Sequence, residues 1–168
     1  RGVVPAAAWT ETLPAHGGDP PAVDPGRGQM MVFLIHPGEI RHIVLYRDRY
    51  IIPRRDGHVL IGSTLEYTGF DKATTAEAKE QLYRAAGALF PLLRHSPIEH
   101  HWAGLRPGSP NGIPYIGAHP QVEGLFFNAG HFRNGVITGP ASARLVADLM
   151  LARSPILDPS PYGLHASR

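Results

Sequence analysis

The dipeptide Asp56-Gly57 lies between two apolar runs, residues 50–55 and 58–64, and constrains the fold more than any other short feature of the chain. Both residue types tolerate a positive φ, so the pattern predicts a β-hairpin with a tight turn. Further strand-like runs are bounded by turn residues in the same way. They cover residues 29–35, 41–46, 98–105, about 115–116 and 125–129.

Only two stretches have the apolar spacing of a helix. The first follows Thr74-x-x-Glu77, a capping-box pattern, and ends before Pro91. The second runs from about residue 140 to residue 152. Strands joined by hairpins, together with two helices, predict an α+β fold in which helices cover a mostly antiparallel sheet.

The two ends of the chain differ from its centre. Residues 1–9 are typical of the end of a strand, whose partners we expect outside this chain. Residues 10–27 are rich in proline and glycine, which indicates a linker. We therefore predict three parts: the strand end plus linker at 1–27, one main domain at 28–153, and a loose tail at 154–168. Because the first residue is Arg1 rather than methionine, we also expect an artificial boundary, a cleavage or an unseen upstream part.

The composition excludes several classes of protein. The chain has no cysteine, and therefore no disulfide framework, thiolate metal site or cysteine nucleophile. A formal net charge of +2 is too small to predict nucleic-acid binding, and no apolar run approaches the roughly 20 residues that cross a bilayer. His100 and His101 are adjacent on a predicted strand and point to opposite faces, so we expect no metal site there. A cytoplasmic location is the default expectation.

Two arginines and a tyrosine stand among apolar strand residues, where a charged group is costly unless it meets an anion. Arg106 directly precedes Pro107-Gly108 and should lie at the mouth of a strand. Arg133 precedes Asn134-Gly135, just before a helix start, and Tyr50 lies on the strand before the predicted hairpin turn. Because a planar guanidinium suits a carboxylate, the three side chains predict a carboxylate clamp.

Each of these residues also has a plainer explanation. Arg106 could be a surface arginine or a partner of Glu99, and Tyr50 could be an aromatic core residue with its hydroxyl at the rim. Arg133 could cap nearby carbonyl groups. His131 is the one histidine whose setting suggests a site, and it could instead bond to loop backbone. Spacing alone leaves these alternatives open.

Three segments, in order, resemble the glycine oxidase-like FAD-dependent amino-acid oxidases of the D-amino-acid oxidase superfamily. They are residues 50–64, 102–117 and 130–140, and Arg27-Gly28-Gln29-Met30 resembles the segment where that family's chain enters its substrate domain. The resemblance implies a two-domain flavoprotein with a Rossmann-type FAD domain and an antiparallel substrate-binding domain over the flavin. Residues 28–153 would then be the substrate-binding domain, with a C-terminal helix that contacts the flavin.

The resemblance also implies roles for individual residues. In such enzymes the arginine matching Arg106 pairs with the substrate carboxylate, assisted by the tyrosine matching Tyr50. The arginine matching Arg133 lies beside substrate and flavin, and Leu65 falls where a pocket-wall residue is expected. The loop along the flavin ring matches His131, Phe132, Arg133, Asn134, Gly135, Val136 and Ile137.

The implied reaction is oxidative deamination of glycine or another small amino acid by hydride transfer to FAD, and a link to thiamin biosynthesis is part of the same expectation. No Gly-x-Gly-x-x-Gly nucleotide loop occurs in the sequence, so the resemblance covers the C-terminal substrate-domain half only. We therefore expect the isolated chain to be inactive and to retain no FAD. Its expected partners are the small amino-acid substrate and the missing N-terminal FAD-binding domain, with a homo-oligomer also compatible.

Two alternatives remain open. In the first, the chain is a non-catalytic domain that binds a carboxylate-bearing ligand, or a folded fragment without activity of its own. In the second, it assembles with a separate polypeptide that supplies the FAD domain.

Overall fold

The computed structural model describes residues 2–4 and 21–167. The chain divides into two compact units, one formed by Arg1–Gly26 with Arg106–Arg168 and the other by Arg27–Leu105. Short 3₁₀ helices occupy Pro91–His95, Pro110–Gly112 and Ser160–Tyr162. The longer elements within the described residues are β1 (Gly2–Val4), β2 (Asp24–Leu34), β3 (Val44–Tyr46), β4 (Arg49–Pro53), β5 (His58–Gly62), α1 (Ala76–Leu89), β6 (Ile98–Gly108), β7 (Tyr115–Ala118), β8 (Leu125–Ala129) and α2 (Gly135–Met150).

Five strands form a sheet in the order β3-β4-β5-β2-β6. The pairs β3–β4, β4–β5 and β2–β5 are all antiparallel, which confirms the mostly antiparallel α+β fold. Helix α1 packs on one face of this sheet, where the side chains of Met31, Phe33, Ile51, Ile61 and Leu82 are fully buried. This apolar layer is the core of the unit, and a truncation such as Leu82→Ala should cost about 2–5 kcal/mol.

The hairpin predicted from Asp56-Gly57 is confirmed. Ile51 pairs with Ile61 across β4 and β5, and Gly57 adopts a φ of +94°. A Cβ atom at Gly57 would also lie 2.3 Å from the carbonyl oxygen of Ile35, so only glycine fits this turn. The Asp56 carboxylate accepts a 3.1 Å hydrogen bond from the His58 N–H, as turn aspartates often do.

Helix α1 was predicted in the right place but with the wrong cap. The N-cap is Thr75 rather than Thr74, and its hydroxyl accepts a 3.2 Å hydrogen bond from the N–H of Ala78. The reason lies outside the helix: the buried amide of Gln29 donates to the Thr75 hydroxyl and accepts from the Thr75 N–H. A local sequence pattern does not show this long-range pairing.

The other unit contains a three-stranded sheet in the order β1-β8-β7. Strand β1 pairs in parallel with β8, with Val3 opposite Phe126, so one partner of this strand lies within the chain, contrary to the expectation for that edge. Residues 5–9 of the predicted strand end lie outside the described part of the chain. Helix α2 packs on β7 and β8 through Ile116, Leu145 and Val146.

Several element boundaries differ from the prediction. Strand β2 begins at Asp24 instead of residue 29, and α2 begins at Gly135, so Pro140 lies inside the helix rather than at its start. In the segment predicted as a loose tail, Tyr162 and Leu164 pack against two separate apolar clusters. Residues 28–153, predicted as one domain, are divided between the two compact units at Leu105. Among the described residues, no helix is long and apolar enough to span a membrane.

Candidate functional site

The loop between β8 and α2 carries most of the residues predicted to contact a cofactor. Gly130 has a φ of +74°, and a Cβ atom there would lie 2.9 Å from the Cβ of Ser109. Phe132 also has a positive φ, of 47°, and the N–H of Asn134 donates to the carbonyl of His131 at 3.0 Å. The left-handed backbone conformations of Gly130 and Phe132 make the loop tight, and the loop leads directly into the first turn of α2.

The end of β6, which carries Arg106, is joined to this loop by hydrogen bonds within the same unit. The N–H of Phe132 donates to the carbonyl of Pro107 at 2.9 Å, and Gly108 forms an isolated bridge with His131. The Ser109 hydroxyl donates to the carbonyl of Gly130 at 2.7 Å. The structure therefore brings the strand end after Arg106 against the segment that leads to Arg133.

His131 is buried in this loop, with only 8% of its surface exposed. Its Nε2 lies 2.8 Å from the amide oxygen of Asn128, which can only accept, so Nε2 carries the proton. Its Nδ1 is then an acceptor, and this buried atom has no partner among the described residues. Burial lowers the pKa of His131 and keeps the ring neutral.

The first turn of α2 is open on its solvent side. No side chain of the described residues caps it, although Asn134 stands at the N-cap position. Val136 and Ile137 are 95% and 83% exposed, which is unusual for two adjacent aliphatic side chains. An open helix N-terminus carries free N–H groups and a partial positive charge, so this end of α2 suits a ligand with an apolar face and an electron-rich edge.

The two predicted arginines of this unit differ in exposure. Arg106 is half-buried, whereas Arg133 is exposed. The guanidinium carbon of Arg133 lies 5.7 Å from the centroid of the Phe132 ring, a cation–π distance. Both arginines belong to the two segments that the main-chain hydrogen bond from Phe132 to Pro107 holds together.

Tyr50 belongs to the other unit, on β4 of the five-stranded sheet. It pairs with Gly62 across β4 and β5, and a Cβ atom on Gly62 would lie 2.8 Å from the Tyr50 ring. The phenol oxygen lies 3.6 Å from the sulfur of Met30. Glycine at position 62 thus makes room for the ring of Tyr50, which lies on the face of β4 opposite to the buried Ile51.

Leu65 is exposed and lies between Thr64 and Glu66, which belong to a network of buried and partly buried polar groups. Arg27, only 4% exposed, binds the carboxylate of Glu66 at 2.6 Å and that of Asp71 at 2.6 Å. Gln29 donates to Glu66 at 3.0 Å. These contacts fix the backbone on both sides of the segment that presents Leu65.

Hydrogen bonding in this network controls the ionisation of Glu66. Burial by itself raises the pKa of Glu66, but hydrogen bonds from Thr64, Arg27 and Gln29 outweigh it, so the pKa lies below its usual value. This network was not predicted from the sequence. The available signal was an arginine and a glutamine next to an apolar strand, but their acidic partner lies far along the chain.

The predicted site residues therefore fall into two groups. Arg106, Arg133 and the loop 131–137 belong to one unit, while Tyr50 and Leu65 belong to the other. The carboxylate clamp that would combine Arg106 with Tyr50 stays a prediction.

Comparison with known proteins identifies the class. Residues 1–149 match the family model DAO, described as FAD dependent oxidoreductase, and the chain belongs to this family. It is 53% identical over 158 residues to a glycine oxidase from Pseudomonas aeruginosa, a match that covers 94% of this chain and 43% of that protein. It is 34% identical over 137 residues to a protein from Synechocystis named bifunctional protein ThiO/ThiG, covering 79% of this chain and 21% of that protein.

A solved structure supports the same assignment. The crystal structure of glycine oxidase from Geobacillus kaustophilus matches with a TM-score of 0.90 and 31% sequence identity, covering 99% of this chain and 45% of that one. The chain thus spans less than half the length of the glycine oxidases it matches. The fold and the family are those that the sequence resemblance implied.

Proposed function

We propose that this chain forms the substrate-binding part of an FAD-dependent oxidoreductase that oxidatively deaminates glycine or another small amino acid. The observation that carries the proposal is the open N-terminus of α2, preceded by a tight loop that is hydrogen-bonded to the strand end after Arg106. The names of the similar proteins support the choice of substrate, and the ThiO/ThiG relative supports a link to thiamin biosynthesis. A cytoplasmic location is part of the same proposal.

The residues at the start of α2 fit the cofactor. Val136 and Ile137 offer an exposed apolar surface, the first-turn N–H groups offer donors, and the buried Nδ1 of His131 offers an acceptor. The residues that would hold FAD are His131, Phe132, Arg133, Asn134, Gly135, Val136 and Ile137. When bound, FAD supplies the acceptor for the hydride that leaves the substrate α-carbon.

The side chains of this chain bind and orient the substrate. The Arg106 guanidinium donates to the substrate carboxylate, and the Tyr50 hydroxyl donates a second hydrogen bond to the same group. Arg133 supplies a further positive charge, and Leu65 restricts the space available to the amino-acid side chain. The neutral His131 ring adds no charge to the loop, so the partial positive charge of the α2 N-terminus favours negative charge at the edge of the cofactor.

The proposal also includes a domain that binds the nucleotide part of FAD. The similar proteins are more than twice as long as this chain, so we propose that an N-terminal FAD-binding domain completes the enzyme, in the same polypeptide or in a separate one. The parallel pairing of β1 with β8, covered by α2, is typical of the α/β layers that bind dinucleotides. Self-association into a homo-oligomer is compatible with this arrangement.

The experiment uses the protein together with its FAD-binding domain. Glycine-dependent hydrogen peroxide production is measured for the native protein and for the Arg106→Ala and Arg106→Lys variants. We expect Arg106→Ala to raise KM for glycine by about 30-fold or more, because a charge-assisted bidentate pair is lost. We expect Arg106→Lys to restore part of the affinity, because it keeps the charge without the fork.

A matched control is Arg55→Ala, which removes an exposed arginine from the β4–β5 hairpin turn and should leave KM unchanged. Absence of peroxide with glycine and with other small amino acids, combined with glycine binding in the absence of flavin, would support the alternative of a non-catalytic carboxylate-binding domain. An unchanged KM in Arg106→Ala would refute the assigned role of Arg106.

A further inference from the structure

A second concave site lies in the unit formed by residues 27–105, between the β3–β4 hairpin and helix α1. Its volume is about 560 Å³, within the range of small-molecule sites. Residues 46–49 of the hairpin line one side, and Arg84, Ala85, Ala88 and Leu89 of α1 line the other. We call it the hairpin pocket.

Arg47 is the least expected residue of this pocket. It lies in the two-residue connection between β3 and β4 and adopts a φ of +54°, a conformation that favours glycine or asparagine. Its guanidinium lies 5.2 Å from the centroid of the Tyr46 ring, and no carboxylate of the described residues forms an ion pair with it. A strained arginine without an acidic partner indicates a role other than stability.

Two more guanidinium groups line the same pocket. Arg49 is 19% exposed, pairs with the carboxylate of Asp48 and donates to the carbonyl of Ser63 at 3.0 Å, which fixes its position. Arg84 is more exposed and binds Glu80 on the same helix. Three arginines against these two carboxylates leave one net positive charge, and that charge belongs to Arg47.

Most of the remaining wall is apolar. Ala85, Ala88 and Leu89 form it on α1 next to the polar Gln81, and the ring of Tyr46 stands on the hairpin side. We propose that the hairpin pocket binds a small organic anion: a carboxylate or phosphate group carried on an apolar body. The anionic group would meet Arg47, with Arg49 and Arg84 beside it, and the apolar body would lie on the alanine wall.

The pocket is separate from the proposed substrate residues. Successive residues of a strand point to opposite faces of the sheet, so Arg49 and Tyr50 are on opposite faces of β4. The neighbour that shares the Arg49 face is Ile51, which is buried against α1. A ligand of the hairpin pocket therefore binds on the α1 face, away from the Tyr50 phenol.

The test is isothermal titration of the protein, with any flavin that it carries, against three probes: phenyl phosphate, phenylacetate and inorganic phosphate. We expect both aromatic anions to bind. The one with the lower dissociation constant identifies the anionic group that the pocket prefers. Arg47→Gly should weaken their binding by about tenfold or more. The same variant should raise the melting temperature, because glycine relieves the positive φ, so a loss of binding cannot be attributed to unfolding.

Two further variants locate the binding. Ala88→Gln should weaken the aromatic anions by filling the apolar wall, while Arg55→Ala, outside the pocket, should not. Repeating the titration in Arg106→Ala separates this site from the proposed substrate clamp, since binding at the hairpin pocket does not depend on Arg106. The proposal is overturned if Arg47→Gly binds the aromatic anions as tightly as the native protein does. It is equally overturned if inorganic phosphate binds as tightly as the aromatic anions, which would indicate an adventitious ion only.

Discussion

The main-chain N–H of Phe132 donates a 2.9 Å hydrogen bond to the carbonyl oxygen of Pro107. This bond joins the loop that precedes α2 to the end of β6. The residue after Arg106 and the residue before Arg133 are therefore hydrogen-bonded to each other. A change in the conformation of the loop should therefore disturb both arginines and the start of α2 together.

Replacing Gly130 by alanine tests this coupling. The positive φ and the 2.9 Å approach to Ser109 leave no room for a methyl group, so Gly130→Ala should lower the free energy of unfolding by about 1–3 kcal/mol. FAD retention, measured by absorbance after purification with the FAD-binding domain, should fall with it. Gly117→Ala is the control, because a Cβ at Gly117 meets nothing within 4 Å. Equal flavin retention in the two variants would contradict the proposed role of the loop.

Gly62→Ala tests the position of Tyr50. The added methyl group would lie 2.8 Å from the phenol ring, so the ring must move from its place on β5. We expect KM for the amino acid to rise by about tenfold, with a smaller change in kcat, because substrate binding is affected more than chemistry. Gly104→Ala, on β6 with nothing within 4 Å of the added carbon, should behave like the native protein. A normal KM in Gly62→Ala would argue against the assignment of Tyr50 to the site.

The lowered pKa of Glu66 predicts that the free energy of unfolding decreases at low pH. Its pKa in the folded protein lies below the ordinary value of 4.5, so the folded state holds the charged form more strongly than the unfolded state does. The resulting stabilisation is fully present above pH 4.5 and is lost as the pH falls through the folded-state pKa. Urea unfolding at a series of pH values should therefore show a steeper loss of stability in acid for the native protein than for Glu66→Gln. Parallel curves for the two proteins would show that Glu66 does not contribute this effect.

Truncation of Leu82 measures how much the packing of α1 on the sheet contributes to the free energy of unfolding. The side chain is fully buried among Met31, Phe33 and Ile61, so Leu82→Ala should lower the free energy of unfolding by about 2–5 kcal/mol. Chemical denaturation measures this difference directly. Ala88→Gln, on the exposed side of the same helix, should change stability by less than about 0.5 kcal/mol. A small effect of Leu82→Ala would indicate that α1 is not packed on the sheet as described.

The parts of the fold that depend on local chemistry could be predicted from the sequence. The Asp56-Gly57 hairpin is an example, since its turn type depends on two adjacent residues and its strands on the apolar residues beside them. Strand β8 was predicted at residues 125–129, as observed, because its apolar run is bounded by Gly124 and Gly130. The resemblance to known oxidases then supplied the family.

The features that could not be predicted depend on distant partners. The choice of Thr75 over Thr74 as the helix cap follows from Gln29, a residue 46 positions away. The pairing of β1 with β8 joins residues far apart in the sequence, such as Val3 and Phe126. The start of α2 was predicted at about residue 140, but the helix begins at Gly135 and tolerates the loss of one N–H donor at Pro140, in its second turn.

The hydrogen bond from Arg49 to the carbonyl of Ser63 connects a side chain of the hairpin pocket with the backbone beside the Tyr50 contact. Ser63 follows Gly62, the residue on which the Tyr50 ring rests, while the Arg49 guanidinium lines the hairpin pocket. An anion that competes with the Ser63 carbonyl for this guanidinium would weaken a hydrogen bond made directly beside the residue that the Tyr50 ring contacts. Linkage then requires the effect to be mutual: if pocket occupancy alters affinity for the amino acid, the amino acid must alter affinity for the anion by the same factor.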